Sequence, residues 1–296
     1  MFRQNGIICD EIICLAKPDD SIERTYPGYS SFFKEFRSML ECFHKVIPLA
    51  LPDIWLRDFM PVHNPKDGKF YQFFFNPNYA NYVPSFNERI RNAVQEMFPY
   101  AERLPLRIDG GNIINNSKVL FCFSRPSIFR KSAEGERQQS ENLLQKAFGK
   151  CRIAWLPKEA GDKVCHIDGF MQFLGNKLFV SDEGFEPYLS GLLKKRLEII
   201  KNFLPNAEII FLPCGSRSEK LSMDARGIYV NFLETSRAVF IPQYGLPEDE
   251  EAFSIIKKHA DKPVIGIDCS GIAAYGGAVH CLTREYPYEA LPSLRS

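Results

Sequence analysis

Gly276-Gly277-Ala278-Val279-His280-Cys281-Leu282-Thr283 lies near the C-terminal end of the chain. Paired glycines lead into a short apolar run that ends on a cysteine. The missing side chains at Gly276 and Gly277 permit close approach of a ligand to the backbone. A thiolate is the strongest nucleophile a protein offers near neutral pH. Cys281 is therefore the first candidate for a reacting group. Most cysteines are small buried hydrophobes, and the other eight are read that way.

Four further polar signatures precede this one: Trp55-Leu56-Arg57-Asp58, Asp109-Gly110-Gly111-Asn112, His166-Ile167-Asp168 and the segment around Asn231. From Asp58 through Asp109, His166 and Asn231 to Cys281 the intervals are 51, 57, 65 and 50 residues. Each signature follows an amphipathic helix and a short strand-like run. Helices are predicted over 29–44, 87–98, 133–148, 187–204 and 247–259. In the first of these, Phe32, Phe33, Phe36, Met39, Leu40 and Phe43 recur at helical spacing. Ser132 is a predicted N-cap for the third, with Gly149 as its stop, and the fifth has an acidic first turn that suits the helix dipole. The strand-like runs are 46–49, 104–108, 152–156, 208–212 and 263–267, with further strand patterns at 171–180 and 228–233. A unit of about 50–60 residues, repeated five times, predicts an α/β repeat architecture over 1–296, each unit offering one loop or strand end to a common axis. The plainer alternative is an ordinary α/β domain with coincidental spacing.

Composition narrows the classes. The 296 residues are 45% hydrophobic and 13% aromatic, enough to bury a sizeable core. With 37 basic and 36 acidic residues there is no global field toward nucleic acid or a membrane surface. No uncharged apolar run approaches the ~18 residues that span a bilayer. The first apolar stretch is interrupted by Asp10-Glu11 and lacks a small-residue cleavage site, so no signal peptide is read there. Nine scattered cysteines, an odd number, form no disulfide framework and predict free thiols in the cytoplasm.

His166 and Asp168 would face the same side of an extended segment, placing an imidazole and a carboxylate in one pocket. The first can shuttle a proton and the second can bind a cation. Asp58, after Trp55 and Arg57, is either a cation-binding carboxylate or part of a turn with a structural ion pair. Asp109 could hold the histidine in the right tautomer, as the third member of a triad does, or simply end a strand in a tight turn. Cys165-His166 and His280-Cys281 invite a zinc reading. Strand neighbours point to opposite faces, however, and neither Cys-x-x-Cys nor His-Glu-x-x-His occurs, so no metal is expected.

Taken in order, Trp-x-Arg-Asp, acidic-Gly-Gly-Asn, His-x-Asp and Gly-Gly-x-x-His-Cys-x-Thr resemble the agmatine deiminase and bacterial peptidylarginine deiminase family of the guanidine-modifying pentein superfamily. The likeness runs from about Trp55 to Thr283 and includes Ala154-Trp155-Leu156-Pro157 and Tyr229-Val230-Asn231-Phe232. It implies a fivefold pseudosymmetric α/β propeller. It implies Cys281 as nucleophile, His166 as general acid and base, Asp58 and Asp168 as guanidinium ligands, and Asp109 as the residue orienting His166. Trp55, Asn231 and Gly277 would line the substrate site. Asp109 stands where most relatives carry glutamate, with a reach shorter by one methylene. The segment Phe75-Asn76-Pro77-Asn78-Tyr79 lacks the Trp-Gly of agmatine deiminases, and Gly-Gly-Ala278-Val279 replaces Gly-Asn-Ile. The implied reaction turns a guanidino group into a ureido group with release of ammonia, through a thiouronium on Cys281 and without a cofactor. Agmatine, giving N-carbamoylputrescine, is the first substrate expected. Peptidylarginine, amidino transfer to an amine, and an inactive binding module are the alternatives. A small guanidino compound is the expected partner, with no nucleic acid and no membrane; a homo-oligomer stays open.

Overall fold

Each helix and strand pair read from the sequence is part of a three-stranded sheet: an antiparallel pair, then a helix, then a third strand parallel to the second. The computed structural model describes residues 2–4, 7–77, 79, 82–124, 134–160, 164–183, 187–215 and 223–291. An antiparallel hairpin of β1 (Phe2–Gln4) and β2 (Ile7–Cys9) comes first. Then β3 (Glu11–Ala16), α1 (Asp20–Thr25) and α2 (Tyr29–Glu41) lead to β4 (Lys45–Leu49), parallel to β3. The one-turn α3 (Leu56–Phe59) enters the second sheet, β5 (Val62–Asn64), β6 (Lys69–Phe73) and, across α4 (Pro84–Met97), β7 (Glu102–Leu104). A tight turn at Gly110–Asn112 precedes β8 (Ile114–Asn115), β9 (Val119–Phe123), α5 (Glu134–Phe148) and β10 (Arg152–Leu156). A second tight turn, Ile167–Gly169, precedes β11 (Met171–Leu174), β12 (Lys177–Ser181), α6 (Pro187–Phe203) and β13 (Ile209–Leu212). The fifth sheet holds β14 (Leu233–Glu234), β15 (Val239–Gln243) and, across α7 (Asp249–His259), β16 (Val264–Asp268). The one-turn α8 (Val279–Leu282) leads to β17 (Arg284–Pro287), which pairs antiparallel with β3 and completes the first sheet.

Parallel strands need a crossover, and the helices supply it. Their apolar stripes explain why they lie on the sheets: Phe36 and Leu40 of α2, Ile90 and Val94 of α4, Leu144 and Ala147 of α5, and Ala252 and Ile256 of α7 are all buried. Strand β9, Val-Leu-Phe-Cys-Phe, is buried along its whole length and reads as a continuous apolar run rather than an alternating one. Helix α7 carries Asp249, Glu250 and Glu251 in its first turn and Lys257, Lys258 and His259 in its last, both favourable to the macrodipole.

Several sequence expectations change. The 104–108 run is not a strand: pairing stops at Leu104, because Pro105 has no N–H for a ladder. The 171–180 pattern is two strands, folded back at Gly175, whose φ of +58° suits a tight turn. Within 228–233 only Leu233 pairs in a named strand. The chain ahead of it turns, with Ile228 N–H bonded to Ala225 O at 3.1 Å and Asn231 N–H to Ile228 O at 3.2 Å. This turn starts at Gly227 (φ +85°), where a Cβ would lie 2.6 Å from the Gly215 Cα. The third helix is described over Glu134–Phe148; residue 133 and the predicted N-cap Ser132 lie outside the described residues. Among the described residues no helix is long and apolar enough to cross a membrane.

All five polar signatures occupy one equivalent place, between the third strand of one sheet and the first strand of the next. The turns meet: α3 packs against α8 and against the 110–112 turn, which packs against the 167–169 turn.

Candidate active site

The paired glycines of the Asp-Gly-Gly-Asn signature answer a steric demand. A Cβ on Gly110 would lie 1.9 Å from the Arg57 carbonyl oxygen. A Cβ on Gly111 would lie 2.6 Å from His166 Nδ1 and 2.7 Å from Asp58 Oδ1. The turn can therefore press its backbone between two other turns. Asn112 fixes it there, accepting from Phe123 N–H at 2.9 Å and donating to Phe123 O at 3.1 Å.

Three turns converge on His166. Its Nδ1 lies 3.5 Å from Asp58 Oδ1, which also accepts Gly111 N–H at 3.0 Å. Its Nε2 lies 3.3 Å from Asp109 Oδ2 and 3.1 Å from the Tyr79 hydroxyl oxygen. Tyr79 also donates to Asp109 at 3.4 Å. The imidazole thus sits between two carboxylates, one on each nitrogen, and the shorter aspartate at 109 reaches it.

The remaining turns converge on Cys281, which lies on α8. Asp168 Oδ2 accepts from His280 Nδ1 at 2.8 Å and from the Cys281 thiol at 3.4 Å. Asn231 ties the turn that carries Cys281 together. Its Oδ1 accepts Ala278 N–H at 3.1 Å and Cys281 N–H at 3.4 Å, and its Nδ2 donates to Cys281 Sγ at 3.1 Å. A Cβ on Gly277 would lie 3.1 Å from Cys281 Sγ and 2.7 Å from the Trp55 ring, so the space over the thiol exists only because position 277 has no side chain. His166 and Asp168 do line one cavity, but not as alternate residues of an extended segment. His166 is extended, whereas Asp168 belongs to the 167–169 turn, because Gly169 and Phe170 N–H bond back to His166 O and Ile167 O.

The thiol faces a cavity of about 110 Å³, shared with His166, Asp168, Asn231 and Gly277. A wider space of about 670 Å³ adjoins it and reaches Trp55, Asp58 and Tyr79. Burial pushes the Cys281 thiol well up, and the Asp168 and Asp58 charges push it further. Burial also raises Asp58, to about 7, with His166 pulling down and Asp109 and Asp168 pushing up. For Asp168 burial is again the largest influence and acts upward, but the His280 hydrogen bond, the His280 and His166 charges and the Cys281 hydrogen bond together outweigh it and keep the carboxyl low. His280 itself is pulled down by burial and the Arg57 charge, so it donates to Asp168 as a neutral ring. On each carboxylate one oxygen carries these contacts: Asp58 Oδ1 with Gly111 N–H and His166, and Asp168 Oδ2 with His280 and the Cys281 thiol.

Two residues of this network, Tyr79 and His280, are given no role in the site by the sequence. Tyr79 touches both Asp109 and His166, and its ring packs edge-on to the imidazole with centroids 5.6 Å apart. His280 Nδ1 hydrogen-bonds Asp168 Oδ2 at 2.8 Å. Among the described residues no group of three His, Cys, Asp or Glu is placed to hold a metal ion. Arg57 makes the structural ion pair allowed for in its motif, with Nη1 and Nη2 on the two Glu285 oxygens at 2.9 and 2.5 Å.

The chain matches the family model described as Porphyromonas-type peptidyl-arginine deiminase over residues 21–287. A Marinomonas sp. (strain MWYL1) protein named "Putative agmatine deiminase" is 23% identical over 219 residues, which cover 64% of this chain and 58% of that relative's length. Among solved structures, C. jejuni agmatine deiminase superposes with a TM-score of 0.73 at 20% identity, over 96% of this chain and 98% of that one. A dimethylarginine dimethylaminohydrolase superposes with a TM-score of 0.59 at 18% identity, over 93% of this chain and 99% of that one. The protein shares its α/β fold with both.

Proposed function

Because the chain belongs to the Porphyromonas-type peptidyl-arginine deiminase family, we propose that it hydrolyses the guanidino group of a small cationic substrate to a ureido group, with Cys281 as the nucleophile. One observation carries this reading. A buried thiol and a histidine set between Asp58 and Asp109 line two adjoining cavities, one of which holds the Asp168 carboxylate and the other the Asp58 carboxylate.

Guanidinium is planar and cationic and presents paired N–H donors, which the Asp58 and Asp168 carboxylates would accept. Its charge offsets the two carboxylates that disfavour the thiolate, so substrate binding itself would ready Cys281. Sulfur attack on the central carbon gives a tetrahedral intermediate. His166 gives a proton to the departing nitrogen, the C–N bond breaks and ammonia leaves. The thiouronium on Cys281 is then attacked by water, whose proton His166 takes, and the C–S bond breaks to release the ureido product. Asp109 and Tyr79 would hold the imidazole in register through this exchange.

Agmatine is the substrate proposed first. Apart from His166 and Asp168, the charged residues lining the thiol's cavity are Glu159, Glu183 and Asp224 against Arg196, and Arg196 is paired with Glu183 at 2.9 Å. Asp224 is likewise paired, with Arg226 at 2.5 Å, so agmatine is placed first because relatives and solved structures of this fold are named agmatine deiminases. The test compares kcat/KM for agmatine, free arginine and a blocked arginine peptide, because only contacts beyond the shared guanidinium separate them. Agmatine is expected to lead. A preference for the blocked peptide would overturn the substrate and leave the deiminase chemistry standing; no ureido product from any of the three would overturn the function.

The raised Asp58 carboxyl sets a pH dependence. Below about 7 it is protonated in the free protein and offers a cation one charge less. Accordingly kcat/KM should rise with pH through about 7 and then level, because kcat/KM reports the free enzyme. Stability should run the other way. A carboxyl whose folded pKa is raised contributes stability below its unfolded value, and this is lost as pH climbs toward 7. Thermal melts across that window, with and without a guanidino ligand, would show the ligand stabilising most at the alkaline end. A flat kcat/KM profile from pH 5 to 8 would remove Asp58 from cation binding.

A further inference from the structure

The central turns face two ways. Asp58 and Cys281 line the thiol-side cavities, whereas their chain neighbours Arg57 and His280 line a separate cavity of about 370 Å³ that shares no lining residue with them. The other charged or titratable side chains around it are His63, Lys66, Arg284 and Glu285. Glu285 is the one carboxylate among the described lining residues, and both its oxygens are engaged by Arg57. Arg284 is left over. It is only 8% exposed, its Nε donates to Pro61 O at 3.2 Å, and its guanidinium carbon lies 5.9 Å from the Tyr286 ring centroid. No carboxylate among the described residues comes within ion-pair distance of it. Burial, and then the Arg57 charge, pull its pKa down; Tyr286 and the charge of Glu285, which is bonded to Arg57, offset this only in part, so the desolvated cation has no carboxylate to itself.

We propose that this cavity is a binding site for a small oxyanion, a phosphate or carboxylate held by the guanidinium of Arg284. A guanidinium fork matches two oxygens of either group, and Arg57, Lys66 and His63 add positive or donor character around it. The space suits a small organic anion as well as a bare ion. Its occupant would lie one side chain from the reacting centre, because His280 lines this cavity and donates to Asp168.

The test is calorimetric titration of the full chain with inorganic phosphate and, separately, with succinate, each against chloride at equal ionic strength. Saturable binding of at least one is expected, with a dissociation constant on the order of 1 mM. Arg284→Gln should weaken it about tenfold or more. Should Arg284→Gln melt early or lose its circular dichroism, Asn115→Asp decides. That exposed rim position adds a repelling charge without touching the buried ion pair and should weaken binding several-fold. Binding of phosphate alone or succinate alone names the source of the oxyanion. No saturable heat from either anion, or binding unchanged in a folded variant, overturns the site.

Discussion

Cys281→Ala is expected to lower kcat by about four orders of magnitude or more, because the only proposed route to the product passes through a bond to that sulfur. The loss should fall on chemistry and not on folding. The thiol is buried beside Asp168, 3.4 Å away, and alanine removes a group whose ionisation that carboxylate resists. The melting temperature should therefore stay close to that of the parent, and a guanidino ligand should still raise it. Ammonia and ureido product are the readouts. In the parent protein, turnover stopped with acid should leave the thiouronium mass on the Cys281 peptide and on no other cysteine. Turnover by Cys281→Ala within tenfold of the parent would end the covalent proposal.

Asp168→Asn should cost about three orders of magnitude in kcat/KM, a figure in line with losing a preorganised charge at a reacting centre. One carboxylate is asked to do three things. It accepts from His280 at 2.8 Å, it lies beside the Cys281 thiol, and in the proposed mechanism it would also bind the substrate cation. A carboxamide keeps the shape but can present only one acceptor oxygen, so one of these contacts meets an N–H instead. Kinetics with a guanidino substrate, alongside a thermal melt, separate the site effect from unfolding. Asp109→Asn should cost less, because Asp109 acts through His166. Equal losses in the two variants would shift the cation-binding role away from Asp168.

The helices were the most legible part of the chain. Their apolar stripes, such as Phe32, Phe33, Phe36 and Leu40, span more than two turns and leave little room for another period. Strand limits were weaker, since an apolar run such as 104–108 does not show that Pro105 will end the ladder. The one-turn helices α3 and α8 were invisible. Four residues cannot display a period, and such turns exist because neighbouring turns hold them. The site was legible as an ordered set of signatures, since Cys281, His166, Asp58 and Asp168 carry reactive groups in recognisable local frames. Tyr79 with His166 and His280 with Asp168 were not, being contacts between residues 87 and 112 positions apart that no local pattern encodes.

Four of the five three-stranded sheets are cut from continuous stretches of chain, and the first is not. Strand β17 must find β3, pairing Arg284 with Cys14. Closing so long a loop is entropically costly and slow compared with forming a local hairpin. The order of events in a growing chain follows. Asp58, Asp109, His166, Asp168 and Asn231 can be set in their sheets while the nucleophile still hangs on an undocked tail, since α8 leads directly into β17. The reactive thiol would then join its carboxylates only when the ring shuts, so the protein would remain chemically silent until it is topologically complete. A circular permutant opened at the exposed turn of Gly175 and Asn176 would move that last step to the fourth sheet. Cys281 would become an early arrival, and the seam of the molecule would lie at a different sheet from its nucleophile.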